Sequence, residues 1–178
     1  EAMLGELAAA DPEAAARLHP NDRKRIVRAL EVFQQTGKTI SQHNRETRAL
    51  PLRYDALTLS LAFQRREDMW ARIDRRVDEM MAAGLAEEVR ALLDSGVPVR
   101  CTAMQAIGYK EMAAALRGGG DVCAAAAEIK LRSRQYAKRQ LTWFRRTEGA
   151  KWLFWGPEPD FEAACRTSTK YLEEFGLV

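Results

Sequence analysis

Seven basic side chains crowd one stretch of the chain: Lys130, Arg132, Arg134, Lys138, Arg139, Arg145 and Arg146, with no acid among them. On a helix, Arg134, Lys138 and Arg145 fall near one face. Like charges so arranged repel each other unless an anion lies opposite. The stretch therefore reads either as a polyanion-binding helix or as a solvated surface helix with distant carboxylate partners. The interleaved Tyr136, Trp143 and Phe144 read as core residues on the opposite face, although Trp143, beside Thr142, can reach a nucleobase. A second comb, Arg23, Lys24, Arg25 and Arg28, has the spacing to grip phosphates, which Arg does bidentately. A solvated face is the alternative. The run Gln105-Ala106-Ile107-Gly108-Tyr109-Lys110 places glycine, an aromatic and a lysine at a helix start. Backbone N–H groups and the positive end of the helix dipole can receive an anion there, or Tyr109 is simply core. The last group, Arg65, Arg66, Arg72, Arg75 and Arg76, alternates with Glu67, Asp68, Asp74, Asp78 and Glu79. Most of it reads as surface ion pairing of little worth, with room for one functional arginine that periodicity does not single out.

Other chemistries find little support. His19 precedes Pro20 and lies near Asp22, which reads as a turn or cap, and His43 stands in a polar stretch without a motif. There is no GxxxxGK[ST] phosphate loop, no GxSxG and no metal-ligand spacing. The three cysteines, Cys101, Cys123 and Cys165, are odd in number and form no CxxC pair. A reducing, cytoplasmic setting is expected. An enzyme without a visible nucleophile, base or cofactor loop is incomplete or is not an enzyme.

The elements that must hold these residues are mostly helical. Residues 1–9 read as helix, and Asp11 with Pro12 opens a short second one. Asn21-Asp22 caps an amphipathic helix with the stripe Ile26, Val27, Leu30 and Phe33, stopped by Gly37. Residues 38–53 read as a short helix or loop. Residues 54–63 form the best strand in the chain. Trp70, Ile73, Val77 and Met80 mark a helix over 64–83, followed by helices over 85–96 and 101–116. Asp121 caps a long helix to about Arg146. Residues 151–155 form a short apolar strand, and 160–176 a closing helix. Two strands do not make a sheet core. They are expected to pair with strands absent from these residues, or parallel with each other at the end of a larger sheet.

The chain has 178 residues, 47% hydrophobic and 30% charged, with a net charge of +3 from 28 basic and 25 acidic side chains. That composition suits a globular protein that buries a core without disulfide or metal staples. No apolar run approaches the roughly 18 to 20 residues of a membrane span. The chain opens on Glu1-Ala2 rather than Met, which reads as a piece of something longer.

Taken together, the motifs resemble a known family. They are His19-Pro20-Asn21-Asp22, Arg25-Ile26, Arg28 to Val32 and Thr36-Gly37-Lys38, then Arg72 to Val77 with Met80 and Gly84, Gln105 to Glu111, and Arg134 to Arg145. In this order, over residues 11 to about 155, they resemble the bacterial tRNA dimethylallyltransferases (tRNA isopentenyltransferases). The closing helix matches only loosely. The resemblance implies an α/β fold: a P-loop NTPase-like parallel-sheet core with a helical insertion domain, of which this chain is mostly α-helical with two core strands. Residues 1–50 are expected to be the latter part of the insertion domain and 51–178 the closing strands and helices of the core. The phosphate loop and the general-base aspartate are expected outside these residues, so the chain alone is expected to lack activity.

The implied reaction moves a dimethylallyl group from dimethylallyl diphosphate to N6 of the adenosine just 3′ of the anticodon, in tRNAs reading U-initial codons. Mg²⁺ is implied, with its ligands outside this chain. The family pattern puts Arg76 on the substrate diphosphate, with Arg25 assisting near the reacting base. It puts tRNA contacts on Lys24, Arg25 and Arg28, on Gln105, Gly108, Tyr109 and Lys110, and on Lys138, Arg139, Gln140, Thr142, Trp143 and Arg145. Gln105 stands where some relatives carry Arg, and Lys110 keeps its charge. The implied partners are the tRNA anticodon stem-loop and dimethylallyl diphosphate, with no membrane and a monomeric state. The alternatives are a non-catalytic helical RNA-binding module and an enzyme prenylating free adenine nucleotides. The second would not need three basic clusters.

Overall fold

A computed structural model describes every residue except Leu52 and Val178. Leu52 belongs to the stretch expected as short helix or loop, and Val178 ends the expected core portion; both lie outside the described residues. The chain forms two compact units, Glu1–Asp55 and Ala56–Val178.

The first unit holds four helices: α1 (Ala2–Ala10), α2 (Pro12–Ala15), α3 (Arg23–Thr36) and α4 (Ile40–Ala49). Leu7, Ala14, Ile26, Ala29 and Leu30 form its core. The buried stripe of α3 is Ile26, Ala29, Leu30 and Val32, whereas Val27 and Phe33 stay exposed. The expected stripe holds at Ile26 and Leu30, while Ala29 and Val32 take the places of Val27 and Phe33 on the face where α1 packs. Asp22 occupies the N-cap position of α3 but gives the helix no side-chain bond. Its carboxylate instead accepts the His19 N–H at 3.1 Å, closing the preceding turn. Gly37, at φ 69°, ends the helix in the left-handed region.

Asp11 ties this unit together. Its side chain accepts from Ala14 N–H at 3.0 Å, capping α2, and from Ser41 N–H at 2.9 Å, capping the first turn of α4. Arg17 donates to Ser41 Oγ beside it at 3.2 Å. Burial of Asp11 opposes its ionisation, but the Ser41 and Ala14 donors outweigh it and hold the carboxyl below its usual value. A depressed folded-state pKa stabilises the fold above the unfolded value, and that contribution fades as pH falls through the folded value. Asp11→Ala is therefore expected to cost the first unit roughly 1–2 kcal/mol near neutrality. The deficit should shrink in strongly acid solution, as read by denaturant titration over pH.

The second unit begins with β1 (Leu59–Phe63), which pairs parallel with β2 (Lys151–Trp155), Leu59 opposite Lys151 and Phe63 opposite Trp155. Of the two expected arrangements, the structure has the strands paired with each other. Between them run α5 (Arg66–Ala82), α6 (Leu85–Asp94), a 3-10 turn at Ala103–Gln105, α7 (Tyr109–Gly118) and α8 (Val122–Phe144), and α9 (Phe161–Phe175) follows. Val77, Val89, Met104, Met112 and Ile129 sit at the centre of a core shared by α5, α6, α7 and α8. The fold is mostly helical with a two-stranded parallel sheet.

Two boundaries differ from the sequence reading. The strand starts at Leu59 rather than Tyr54, because its partner β2 is five residues long and offers nothing to pair with 54–57. The helix read over 101–116 is a 3-10 turn followed by α7. Gly108, at φ 104°, breaks the path between them and turns the chain into the new helix. Among the described residues no helix is long and apolar enough to cross a membrane.

Candidate nucleic-acid interface

Helix α8 carries the densest charge, and its two halves do different things. At 23 residues it is about 34 Å long. Asp121 caps it by accepting from Cys123 N–H at 2.8 Å. The first half buries Ala125 and Ile129 in the core. The cations of that half have partners. Lys130 Nζ lies 2.6 Å from Asp78 on α5, and Arg132 Nε donates to Glu128 at 2.6 Å. Arg134 makes a two-pronged pair with Asp74 on α5, Nε donating to Oδ1 at 2.8 Å and Nη2 donating to Oδ2. The Arg134 guanidinium also lies 5.8 Å from the Trp70 ring centre, and that of Arg66 lies 4.6 Å from it.

In the second half, Lys138, Arg139, Arg145 and Arg146 make no ion pair among the described residues. Arg139 only approaches the Tyr136 ring, at 5.8 Å. Tyr136, Trp143 and Phe144 are not core, contrary to the sequence reading. They are 48%, 65% and 38% exposed, outside the core that α8 shares with α5, α6 and α7. Trp143 and Phe144 meet edge to face at 5.1 Å between ring centres. An open aromatic among four unpaired cations is the arrangement that stacks bases while gripping the backbone.

Three recesses border this end of α8. One, of about 490 Å³, is lined by Gln135, Lys138, Arg139, Thr142, Trp143 and Arg146. A second, of about 470 Å³, opens where β1 ends. Phe63, Met69 and Trp70 give it an apolar wall, and Arg66, Lys138 and Arg145 a cationic rim. The third, of about 590 Å³, runs between α7 and α8 and brings Gln105 and Lys110 together with Gln135 and Arg139. Thr142 donates its hydroxyl to the Lys138 carbonyl at 2.9 Å, leaving the oxygen lone pairs outward as acceptors. Gln140 is exposed and lines none of the three.

The segment before α7 is more constrained than its sequence indicates. Gln105 Nε2 donates to the Val99 carbonyl at 2.7 Å. The Gly108 N–H donates to Glu111 Oε2 at 2.9 Å, so the helix N-terminus already holds a carboxylate of its own. The Tyr109 hydroxyl donates to Glu88 Oε1 at 2.5 Å. That bond, with burial and the Glu88 charge behind it, raises the phenol pKa. Lys110 is left as the unpaired cation of the segment among the described residues, facing the recess that Arg139 also lines.

Two further groups complete the inventory. In the first unit Lys24, Arg25 and Arg28 rim a recess of about 430 Å³ floored by Ala14, Leu18, Ala29 and Ile40. Arg28 also reaches Glu31 at 3.6 Å. On α5, Arg75 pairs with Glu158 at 3.6 Å, whereas Arg72 and Arg76 are exposed and make no ion pair among the described residues. Charge balance along α5 therefore does not extend to every arginine, and Arg76 is one of those left over. Gln135 lines all three recesses on α8. Sequence reading passed over it because it is uncharged, although its spacing to Lys138, Arg139 and Thr142 puts all four on one stripe. Among the described residues no three His, Cys, Asp or Glu side chains gather to hold a metal. These residues do not fit a Mg²⁺ site.

The model of the family described as IPP transferase matches residues 1–147. The chain belongs to the IPP transferase family. The match takes in β1 and α5 to α8 and stops before α9. The chain is 50% identical over 153 residues to a protein of Trichlorobacter lovleyi named tRNA dimethylallyltransferase 1, covering 86% of this chain and 50% of that one. It is 46% identical over 160 residues to the Bacillus subtilis tRNA dimethylallyltransferase, covering 90% and 50%. The chain thus spans about half the length of these curated relatives. Among solved structures it resembles the tRNA isopentenylpyrophosphate transferase of Bacillus halodurans at 35% identity and a TM-score of 0.65, over 98% of this chain and 52% of that one. It also resembles a eukaryotic dimethylallyltransferase acting on tRNA, at 26% identity and a TM-score of 0.76, over 97% and 46%.

Proposed function

We propose that this family member supplies the RNA-gripping and diphosphate-contacting part of an enzyme that prenylates tRNA. The observation that carries the reading is the unpaired, aromatic-bearing end of α8, in a family whose relatives are named for that reaction. The adenosine N6 attacks the allylic carbon of dimethylallyl diphosphate. The carbon–oxygen bond breaks, diphosphate leaves, and the N6 proton passes to a base outside these residues. Lys138, Arg139 and Arg145 hold the backbone of the anticodon stem-loop, Trp143 stacks on a displaced base, and Gln140 and the Thr142 oxygen add polar contacts. Lys110 holds the same RNA from α7. Gln105, Gly108 and Tyr109 act mainly by fixing the turn that presents it. Lys24, Arg25 and Arg28 add a grip from the first unit, with Arg25 near the reacting base.

Arg76 receives the leaving diphosphate, a role that suits an exposed arginine without a carboxylate of its own. Mg²⁺ enters this reading only through residues beyond the chain. A monomer in the cytoplasm is the matching state. The experiment is transfer of labelled dimethylallyl from its diphosphate to an anticodon stem-loop by the full-length protein. Label is expected on N6 of the adenosine 3′ of the anticodon. Arg76→Ala should lower turnover of the prenyl donor roughly 100-fold or more, with RNA binding unchanged. Folded protein that binds the stem-loop but moves no label would leave only an RNA-binding module.

A further inference from the structure

Side-chain hydrogen bonds fix the run from Gln105 to Lys110 at three points. Two stay within their own stretch of chain: Gln105 donates to the Val99 carbonyl, and Glu111 accepts from the Gly108 N–H. The third crosses between helices, from the Tyr109 hydroxyl to Glu88 Oε1 on α6. Glu88 is exposed, but it stands between Leu85 and Val89, which α6 buries in the core. Its carboxylate makes no ion pair among the described residues. Gly108 lies against the same end of α6, since a Cβ there would stand 4.0 Å from Leu85 Cδ2. The Tyr109 side chain packs on the core that α6 and α7 share, with its hydroxyl at the rim, and Lys110 beside it is exposed.

We propose that Glu88 is a positioning residue for RNA binding: it latches the Tyr109 hydroxyl, and through it the first turn of α7, which presents Lys110. This deepens the proposed function and rests on it, adding a residue that acts without touching the RNA. The first turn of a helix lacks part of its backbone bonding, and this one follows a glycine at φ 104°, so side chains must set its direction. Packing holds the Tyr109 ring in place, and a hydrogen bond to a charged acceptor stops it sliding. Lys110 carries its charge on a flexible stem. Fixing the backbone beneath it lowers the ordering cost when the ammonium meets a phosphate. By charge alone, a carboxylate beside an RNA contact opposes binding. The latch and the bare charge therefore act with opposite signs.

The test is binding of an anticodon stem-loop by the full-length protein in Glu88→Ala, Glu88→Gln, Tyr109→Phe, the Glu88→Ala/Tyr109→Phe double variant and Lys110→Ala. Glu88 is exposed, so folding should be kept, and a melting curve checks it. Glu88→Ala should weaken binding about fivefold, the net worth of one hydrogen bond. Lys110→Ala should weaken it more, about tenfold, through the loss of a charge-assisted contact. Glu88→Gln removes the same charge but keeps an oxygen that accepts from the phenol, so it should recover most of what alanine loses. The double variant should bind no worse than Tyr109→Phe, because Glu88 acts through that hydroxyl. These results together support the latch. If both neutral variants at Glu88 bind as tightly as the parent or tighter while Lys110→Ala binds more weakly, Glu88 is only a repelling charge: the RNA reading stands and the latch is wrong. Full additivity in the double variant overturns it as well. If Lys110→Ala also binds as the parent does, this segment does not grip RNA, and the latch falls with that part of the RNA reading.

Discussion

Replacing Lys138 and Arg139 together by alanine is expected to weaken stem-loop binding roughly 100-fold at moderate salt. It should flatten the salt dependence of log affinity by about 1.4. The magnitude follows from two charge-assisted hydrogen bonds, each worth about 1.5 kcal/mol, and from about 0.7 log units per phosphate contact on a single strand. The effect is large because these cations have no internal work: neither makes an ion pair among the described residues. Stability should hardly move, since both are exposed. Alanine at Lys130 and Arg132 is the matched control. Those side chains already pair with Asp78 and Glu128, so their loss should leave the salt slope near that of the parent. Filter binding or fluorescence anisotropy over a salt series reads both. Equal effects from the two double variants would mean that α8 acts as a uniform charged rod, and the division between its halves would have no functional meaning.

Ile129→Ala is expected to produce the largest loss of stability, roughly 3 kcal/mol within the usual 2–5 for a fully buried aliphatic side chain. Ile129 is 1% exposed and packs among Val77, Val89, Met104 and Met112, where α5, α6 and α7 meet α8. Removing three carbons there leaves a cavity that four helices would have to move together to fill. Denaturant titration followed by helix signal should show the loss, in the transition of the second unit. A midpoint unchanged from the parent would mean the helices close over the gap, and that the core is looser than its burial indicates. RNA binding measured well below the transition should survive, because Ile129 lines none of the three recesses.

The parts of the fold that sequence reading reached are those with strong local signals. Trp70, Ile73, Val77 and Met80 repeat at helical spacing, and α5 is where they put it. Asp121 and the run after it gave α8 to within two residues. What escaped was decided elsewhere in the chain. Helix α4 is polar between Ile40 and Ala49 and shows no apolar stripe; its buried residue is Ser41, held by Asp11 from thirty residues away. Tyr54 to Thr58 have strand-like composition, but a strand ends where its partner ends. Two of the recesses on α8 depend on packing against α7, or against β1 and α5, that no spacing within α8 reveals.

The charges on α8 show the same limit. Lys130 to Arg146 has no acid within it, and sequence alone left open whether the counter-charge lay in the protein or in a ligand. Both answers hold, for different residues. Asp74 and Asp78, on α5, neutralise Arg134 and Lys130, while the cations after residue 137 remain open. Their positions were legible from the start; which of them are structural was not.

That division has a consequence for how the helix can vary over generations. Arg134 and Asp74 are locked in a two-pronged pair beside Trp70, and either one changed alone strands a partly buried charge. They are bound to drift as a couple or not at all. Lys138, Arg139 and Arg145 make no ion pair among the described residues. Each is free to be exchanged singly, restrained only by whatever anion meets it. Along one unbroken helix, then, the first half inherits its residues in matched sets and the second half one by one, and a map of which positions change together would draw the border between scaffold and contact surface near residue 137.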